Sequence, residues 1–188
     1  YAFERQWMFY KAWGHLLYNP ETPDSYFVKA FETRFPAHGK TLFEAQSKVS
    51  KVPLIVASYW NATWDFTLYS EGMLGFNDGP PAVKLLSLET LANREPMDPR
   101  YMGIKEFLDS GKKQVSGKIT PIQLADSLFI FCDEALKAVA PIKPDTNVDL
   151  LYEKSDIQAW GYLGLYFSDK LKSAVAYQQY LDTKDKAF

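Results

Sequence analysis

The chain has 188 residues, which is enough for one domain with its own hydrophobic core. Hydrophobic residues make up 47% of it, which excludes general disorder, and its net charge of −2 provides no basic field that would attract nucleic acid. The sequence contains no run of about 18 or more apolar residues, so we expect no insertion into a membrane.

Helices are predicted throughout the first third of the chain. Apolar side chains recur every three or four positions over residues 3–17, and this helix should end at Asn19, because Pro20 disfavours helical backbone in the residue before it. Thr22 and Pro23 suit the N-cap and the first turn of a second helix. Third and fourth helices are predicted over residues 40–51 and 53–72.

The segment LGFNDGPPAVK, residues 74–84, is the clearest predicted loop, because Gly and Pro interrupt it repeatedly. Strand signals are weak everywhere, since no run of alternating β-branched residues occurs. Further helices are predicted over residues 86–93, 98–110, 121–140 and 148–182. Asp98-Pro99 and Thr120-Pro121 are the expected cap-and-proline starts of two of them.

These patterns together predict an all-α bundle of about six to seven helices, with one long C-terminal helix. We expect residues 1–188 to form a single helical domain and, because the sequence starts in the middle of a helical pattern, to be a fragment of a larger multidomain chain. The long helix contains Gly161 and Gly164, which each cost about 1 kcal/mol relative to Ala in a helix. Such a pair is tolerated where another backbone comes close or where the helix bends.

The stretch SYWNATWDFTLYSEGM, residues 58–73, concentrates aromatic and polar side chains. On a helix, Trp60 and Trp64 lie one turn apart, and so do Asn61 and Asp65. Aromatic faces can stack on sugar rings, and carboxylate or amide groups can bind their hydroxyls. With Glu71, these four residues are candidates for substrate binding. The alternative is that the aromatic side chains pack in the core while the polar residues only cap or bend the helix.

Two pairs of carboxylates lie in aromatic surroundings, and glycoside hydrolysis requires two such groups. Asp65 and Glu71 are six residues apart, so they point to different sides of a helix. Glu153 and Asp156 share a helix face near Trp160, but any helix surface offers pairs of this kind. We therefore assign no catalytic residue within this chain.

Other reactive residues fit structural roles better. His15 and His38 are isolated, and Cys132 lies in the apolar run LFIFCDEAL, where we expect a buried core thiol. One cysteine and two scattered histidines make no zinc site. The sequence has no phosphate-binding loop, dinucleotide fingerprint, nucleophile elbow or zinc-protease motif. We therefore predict neither a metal site nor a cofactor.

Three segments resemble parts of a group of large bacterial glycoside-hydrolase-like proteins. ERQWMFYKAWGHLLYNPETPDSYF, residues 4–27, resembles the helix and "W-G-R-x-x-Y-x-P" turn that follow their catalytic barrel. VASYWNATWDFTLYSEGM, residues 56–73, resembles their "W-x-x-x-D-F-x-W-Y" segment. LLYEKSDIQAWGYLGLYFSDKLKSAVAY, residues 150–177, resembles their final helix with its "D-I-x-x-x-x-x-L-G-x-Y" core. The chain departs from the group at His15, where Arg is more common, and near Tyr69, where the group has Trp-Tyr.

The resemblance, which extends to the helical C-terminal region of α-glucuronidases, implies a helical accessory domain of a secreted or periplasmic carbohydrate-active enzyme. Its partner would be the catalytic (β/α)₈ domain of the same parent chain, which would carry the catalytic residues, and its ligand an oligosaccharide. The resemblance at Trp60 and Asp65 implies that this segment faces the glycan or the barrel. Because the chain starts in the middle of a helical pattern and is rich in aromatic residues, we also expect an exposed apolar surface on the first helix around Trp7, Tyr10 and Trp13.

Two other hypotheses remain open at this point. A helical scaffold or protein-interaction domain with no ligand of its own would use the same aromatic residues as core or docking surface. A complete small enzyme would use Glu153 and Asp156. The burial of Trp60, Trp64 and Asp65 would distinguish the scaffold from the accessory domain.

Overall fold

The computed structural model describes residues 2–59, 74–76, 83–85, 87–115 and 117–185. These residues form nine helices and one two-stranded hairpin, and six of the helices have nine residues or more. The all-α bundle with one long C-terminal helix is therefore confirmed. The helices are α1 (Ala2–Arg5), α2 (Trp7–Tyr18), α3 (Asp24–Arg34), α4 (Gly39–Val49), α5 (Lys51–Tyr59), α6 (Leu88–Asn93), α7 (Ile104–Asp109), α8 (Pro121–Val139) and α9 (Val148–Thr183).

The long helix α9 organises the core. Its 36 residues span about 54 Å, and it packs lengthwise against α8. Near its N-terminal end, Ile157 joins a cluster with Phe31 and Leu42 of α3 and α4. Further along, Phe167 joins a second cluster that includes Tyr59 of α5 and side chains of α6, α7 and α8. Because α9 contributes to both clusters, it fixes the two ends of the bundle relative to each other.

Helix α8 starts as predicted, with Thr120 as its N-cap and Pro121 as its first residue. Thr120 Oγ1 accepts a hydrogen bond from the Gln123 backbone N–H at 3.1 Å, and Gln123 Oε1 accepts one from the Thr120 backbone N–H at 3.0 Å. This reciprocal pair is a capping box, and Pro121 occupies the first turn, where its missing N–H is not needed. The predicted boundary at Thr120-Pro121 is therefore confirmed.

The predicted helix start at Asp98-Pro99 is wrong. Asp98 Oδ1 accepts a hydrogen bond from the Arg100 backbone N–H at 2.9 Å, and its carboxylate also binds the Arg100 guanidinium at 2.6 Å. Asp98 thus closes a local turn, which is a common alternative to helix capping for this residue type. The helix α7 begins later, at Ile104, after Gly103.

The predicted loop over residues 74–84 also needs correction. Leu74–Phe76 pairs with Val83–Leu85 as a short antiparallel hairpin, in which Gly75 is opposite Lys84. Strands of three residues are too short to show a period of two, and their pairing depends on backbone hydrogen bonds. The Gly and Pro residues of this segment therefore did not reveal the two strands. Of the predicted helix over residues 53–72, only the part up to Tyr59 lies within the described residues, where it belongs to α5.

Gly164 lies where α9 approaches α8 and α5. A Cβ atom at this position would overlap Cys132 Sγ and would lie only 2.9 Å from Val52 Cγ2. Cys132 is fully buried in this contact, and desolvation raises the pKa of its thiol to about 11. The expected core thiol is thus confirmed, and the cost of glycine in α9 is explained by close helix packing.

We expect Gly164→Ala to lower the free energy of unfolding by up to about 2 kcal/mol, because the packing strain of about 1–3 kcal/mol offsets or exceeds the gain in helix propensity of about 1 kcal/mol. The matched control is Gly14→Ala in α2, where an added Cβ meets nothing within 4 Å. This control should raise the free energy of unfolding. Urea denaturation of both variants measures the difference, and equal stabilisation by both would contradict the proposed close contact.

Candidate functional site

The five candidate substrate-binding residues, Trp60, Asn61, Trp64, Asp65 and Glu71, lie outside the described residues. The carboxylate pair formed by Asp65 and Glu71 lies outside them as well. Their proposed roles therefore stay predictions.

Tyr59, from the same stretch, belongs to the core. Its side chain is 1% exposed, and its hydroxyl donates a hydrogen bond to the Met102 carbonyl at 3.3 Å. Burial raises the pKa of this hydroxyl above its usual range. The backbone carbonyl of the preceding Ser58 accepts a hydrogen bond from Asp98 at 3.0 Å. Tyr59, at the start of the stretch, is therefore a core residue.

The second carboxylate pair lies in a cleft between the N-terminal segment and α9. Asp156 accepts hydrogen bonds from Arg5 Nη2 at 2.5 Å and Arg5 Nε at 3.3 Å. One turn earlier on α9, Glu153 Oε2 accepts a hydrogen bond from Trp7 Nε1 at 3.1 Å. The spacing of three residues predicted a shared helix face, and both carboxylates do meet the same segment. They bind it through different partners, so the pair has distinct roles.

Trp7 is held from several directions. Its ring packs edge-on against Phe31 with 4.9 Å between centroids, and the Arg34 guanidinium lies 5.0 Å above the Trp7 ring. Arg34 is itself bound to Asp149 at 2.8 Å. Stacked guanidinium groups and edge contacts both favour a defined ring orientation. The indole is therefore oriented so that its N–H reaches Glu153.

Glu153 and Asp156 line an open cavity of about 340 Å³, which we call the N-terminal cleft. This volume falls in the range of small-molecule sites. The cleft combines apolar walls with a few polar groups. It is lined by Arg5, Gln6, Trp7, Met8, Phe9, Gln46, Glu153, Asp156 and Trp160.

Glu153 has an unusual electrostatic environment. Desolvation raises the pKa of its carboxyl, and the negative charges of Asp156 and Asp149 raise it further. The Trp7 hydrogen bond and the charge of Arg34 oppose this shift. No ion pair joins Glu153 to another of the residues that the structure describes. Its negative charge is therefore only partly compensated.

Two buried polar atoms near Trp7 have no hydrogen-bond partner among the described residues: Gln46 Oε1 and Arg34 Nε. Such atoms are uncommon in folded proteins, because an unmet hydrogen bond costs free energy. Gln46 lines the N-terminal cleft. Neither residue was singled out from the sequence, since each belongs to a different helix and lies more than a hundred residues from Glu153.

A second cleft of about 670 Å³ lies beside α6 and α7 and was not predicted. Its lining includes three basic and three acidic side chains, Arg94, Lys105, Lys118, Glu95, Glu106 and Asp109. Lys118 binds Glu106 at 2.6 Å. The charges of this cleft balance, and neither of the unpartnered buried atoms lines it.

The two histidines occupy structural positions. His15 Nε2 shares a hydrogen bond with the Tyr26 hydroxyl, which ties α2 to α3. His38 precedes α4, and its carbonyl accepts a hydrogen bond from Leu42 at 2.9 Å.

Helix α2 presents an apolar face to solvent. None of its twelve residues is buried, and the exposed fractions reach 59% for Phe9, 54% for Trp13 and 72% for Leu17. Trp7 and Tyr10 are partly buried. The apolar surface expected on the first helix is therefore present, but it is centred on Phe9, Trp13 and Leu17 rather than on Trp7.

No protein-family model, curated protein or solved structure matches this chain. In the part of the chain that the structure describes, no helix is long and apolar enough to cross a membrane. No group of three or more His, Cys, Asp or Glu side chains among the same residues could hold a metal ion.

We expect Glu153→Gln to stabilise the fold at neutral pH, because it removes a desolvated charge and keeps an oxygen that can accept the Trp7 hydrogen bond. A raised pKa means that folded Glu153 binds its proton more tightly than unfolded Glu153 does. The stabilisation that comes from this tighter proton binding is thus present at low pH. It is lost as the pH rises from about 4.5 through the raised pKa of folded Glu153. The advantage of the variant should therefore grow with pH in urea denaturation.

The control for this measurement is Glu21→Gln, which neutralises an exposed carboxylate in the loop before α3. It should change the free energy of unfolding by less than about 0.5 kcal/mol. If Glu153→Gln destabilises the protein equally at all pH values, desolvation of Glu153 is not the dominant effect.

Proposed function

We propose that this chain is a helical accessory domain of a carbohydrate-active enzyme, whose partner is a catalytic (β/α)₈ domain of the same parent chain. It would dock to that domain and contribute aromatic and polar contacts to a glycan cleft. The resemblance of three segments to glycoside-hydrolase-like proteins motivates this proposal. The observation that carries it is the exposed aromatic face of α2.

This face is unusual for a helix of a small bundle. An amphipathic helix normally turns its apolar stripe toward the core, whereas α2 directs Phe9, Trp13 and Leu17 outward. Aromatic side chains are enriched at the centre of protein interfaces, while acidic side chains are depleted there. Helix α2 has no acidic residue. Its composition thus suits a contact with another folded domain.

The attachment of α2 to the rest of the bundle leaves this face accessible. At its N-terminal end Trp7 packs against the core, and toward its C-terminal end His15 binds Tyr26. Lys11 lies between them with its ammonium group 5.2 Å from the centre of the Tyr26 ring. These contacts hold one side of α2, so docking on the opposite side requires no rearrangement of the bundle.

The glycan contacts are proposed for Trp60, Asn61, Trp64, Asp65 and Glu71, on the strength of their residue types and of the resemblance. The competing hypothesis is a protein-interaction domain without a ligand of its own. The burial of Tyr59 favours that hypothesis at the start of the stretch. Both hypotheses use the α2 face for docking, so glycan binding distinguishes between them.

If the α2 face serves docking, its side chains should contribute little to the stability of the isolated chain. We expect the triple variant Phe9→Gln, Trp13→Gln and Leu17→Gln to change the free energy of unfolding by less than about 1 kcal/mol, because Gln is a good helix former. The control Leu42→Ala removes a fully buried side chain and should cost about 2–5 kcal/mol. A comparable loss in the triple variant would show that these side chains belong to the core of this chain.

We expect neutral oligosaccharides to bind with a dissociation constant of about 1 mM, since a few stacking and hydroxyl contacts must first offset lost translational freedom. Uronic-acid oligosaccharides should bind less tightly, because Asp65 is negative. NMR titration measures both, with Trp60→Ala and Asp65→Ala expected to weaken binding and Trp13→Ala as the matched tryptophan control. Shifts that persist in the first two variants would place the site elsewhere, and the absence of shifts would favour the protein-interaction domain.

A further inference from the structure

We propose that the N-terminal cleft binds a small ligand that carries a primary ammonium group on an apolar body. This site shares no residue with the proposed glycan contacts, and the inference does not depend on the accessory-domain proposal. It follows from three properties of the cleft: its charge, its unsatisfied acceptor and its apolar walls.

One carboxylate of the cleft has a negative charge that is only partly compensated. Arg5 is bound to Asp156, with its Nη2 atom 2.5 Å from the carboxylate, and Arg34 is bound to Asp149 at 2.8 Å. The opposite charges within each of these two ion pairs cancel. The carboxylate of Glu153 is then the remaining negative charge. Its observed partner is the neutral indole N–H of Trp7. A cation entering the cleft would therefore gain a charge-assisted hydrogen bond that no described residue supplies.

The cleft also requires a hydrogen-bond donor. Gln46 Oε1 is shielded from solvent and has no partner among the described residues, although Gln46 lines the cavity. A carbonyl oxygen can only accept hydrogen bonds, and the same holds for the ionised carboxylate of Glu153. A ligand with several N–H donors at one atom therefore suits the Glu153 carboxylate, and a primary ammonium has three such donors.

The remaining walls suit the body of such a ligand. Met8, Phe9 and Trp160 line the same cavity and provide apolar and aromatic surface. Aromatic rings attract organic cations through their π faces, and the thioether of Met adapts to irregular shapes. An anion in the cleft would be repelled by the carboxylates of Glu153 and Asp156. Among the described residues of the cleft, no unpaired cation would attract it, so the site discriminates against anions.

The test uses three ligands with the same cyclohexane body: cyclohexylammonium, cyclohexanol and trimethylcyclohexylammonium. The first has charge and N–H donors, the second has a hydroxyl without charge, and the third has charge without N–H. Titrations are followed through the indole N–H signals of Trp7 and Trp160, at constant ionic strength. We expect cyclohexylammonium to bind with a dissociation constant of about 1 mM and the other two to bind at least about tenfold more weakly.

Two variants assign the effect to named groups. Glu153→Gln should weaken cyclohexylammonium binding by about tenfold and abolish its advantage over cyclohexanol, because the charge is lost while the Trp7 hydrogen bond is kept. Gln46→Leu removes the acceptor at similar volume and should weaken binding by about threefold to tenfold. Glu21→Gln, a change of the same charge on an exposed loop, should leave binding unchanged.

Three results would overturn the proposal. One is equal binding of cyclohexanol and cyclohexylammonium, which would show that charge is not recognised. Another is unchanged affinity in both cleft variants, which would place the site elsewhere. The third is the absence of saturable shifts up to tens of millimolar. The Trp7 indole signal of each variant reports whether the cleft is intact, so loss of folding is recognised independently of loss of binding.

Discussion

The close packing of α9 against α8 is the constraint on which the rest of the bundle depends. At Gly164 the two helices and α5 come so near that a methyl group has no room beside Cys132. One turn later, the buried Ser168 hydroxyl donates a hydrogen bond to the Ala125 carbonyl of α8 at 2.7 Å. Steric fit and a satisfied polar contact thus fix the register of the two longest helices. Helices α4, α5, α6 and α7 pack onto the surfaces that this pair provides, and α3 packs in turn against α4.

The N-terminal segment depends on α9 in a different way. Its attachment relies on Trp7, which combines edge contacts with Phe31, a stacked Arg34 and a hydrogen bond to Glu153. This arrangement buries a carboxylate at a cost that its partners only partly offset, as the raised pKa of Glu153 indicates. A hydrophobic contact would be more stable at neutral pH. The polar contact instead orients the indole and leaves an acceptor facing the cleft, which is a property of binding sites rather than of cores.

Local signals in the sequence were sufficient for most of the fold. The helical period of α9 and the capping box at Thr120 each depend on residues within a few positions of one another, and the sequence displays them directly. Asp98 shows the limit of this reasoning, because the same side chain can cap a helix or close a turn. Of the N-terminal cleft, only the shared helix face of Glu153 and Asp156 is visible in the sequence. Arg5, Gln46 and Glu153 meet only through tertiary packing, and none of them carries a local signature.

Phe9 connects the two surfaces of the N-terminal segment. It lines the cleft, and it is also 59% exposed on the outward face of α2. A domain that covers Phe9 would therefore border the mouth of the cleft, and a ligand in the cleft would lie beside the contact between domains. Ligand sites are frequent at domain interfaces for this geometric reason, since two convex surfaces that meet leave a groove between them. The orientation of Trp7 by Glu153 thus has two consequences, because it shapes the cleft and sets the direction in which α2 presents its aromatic face.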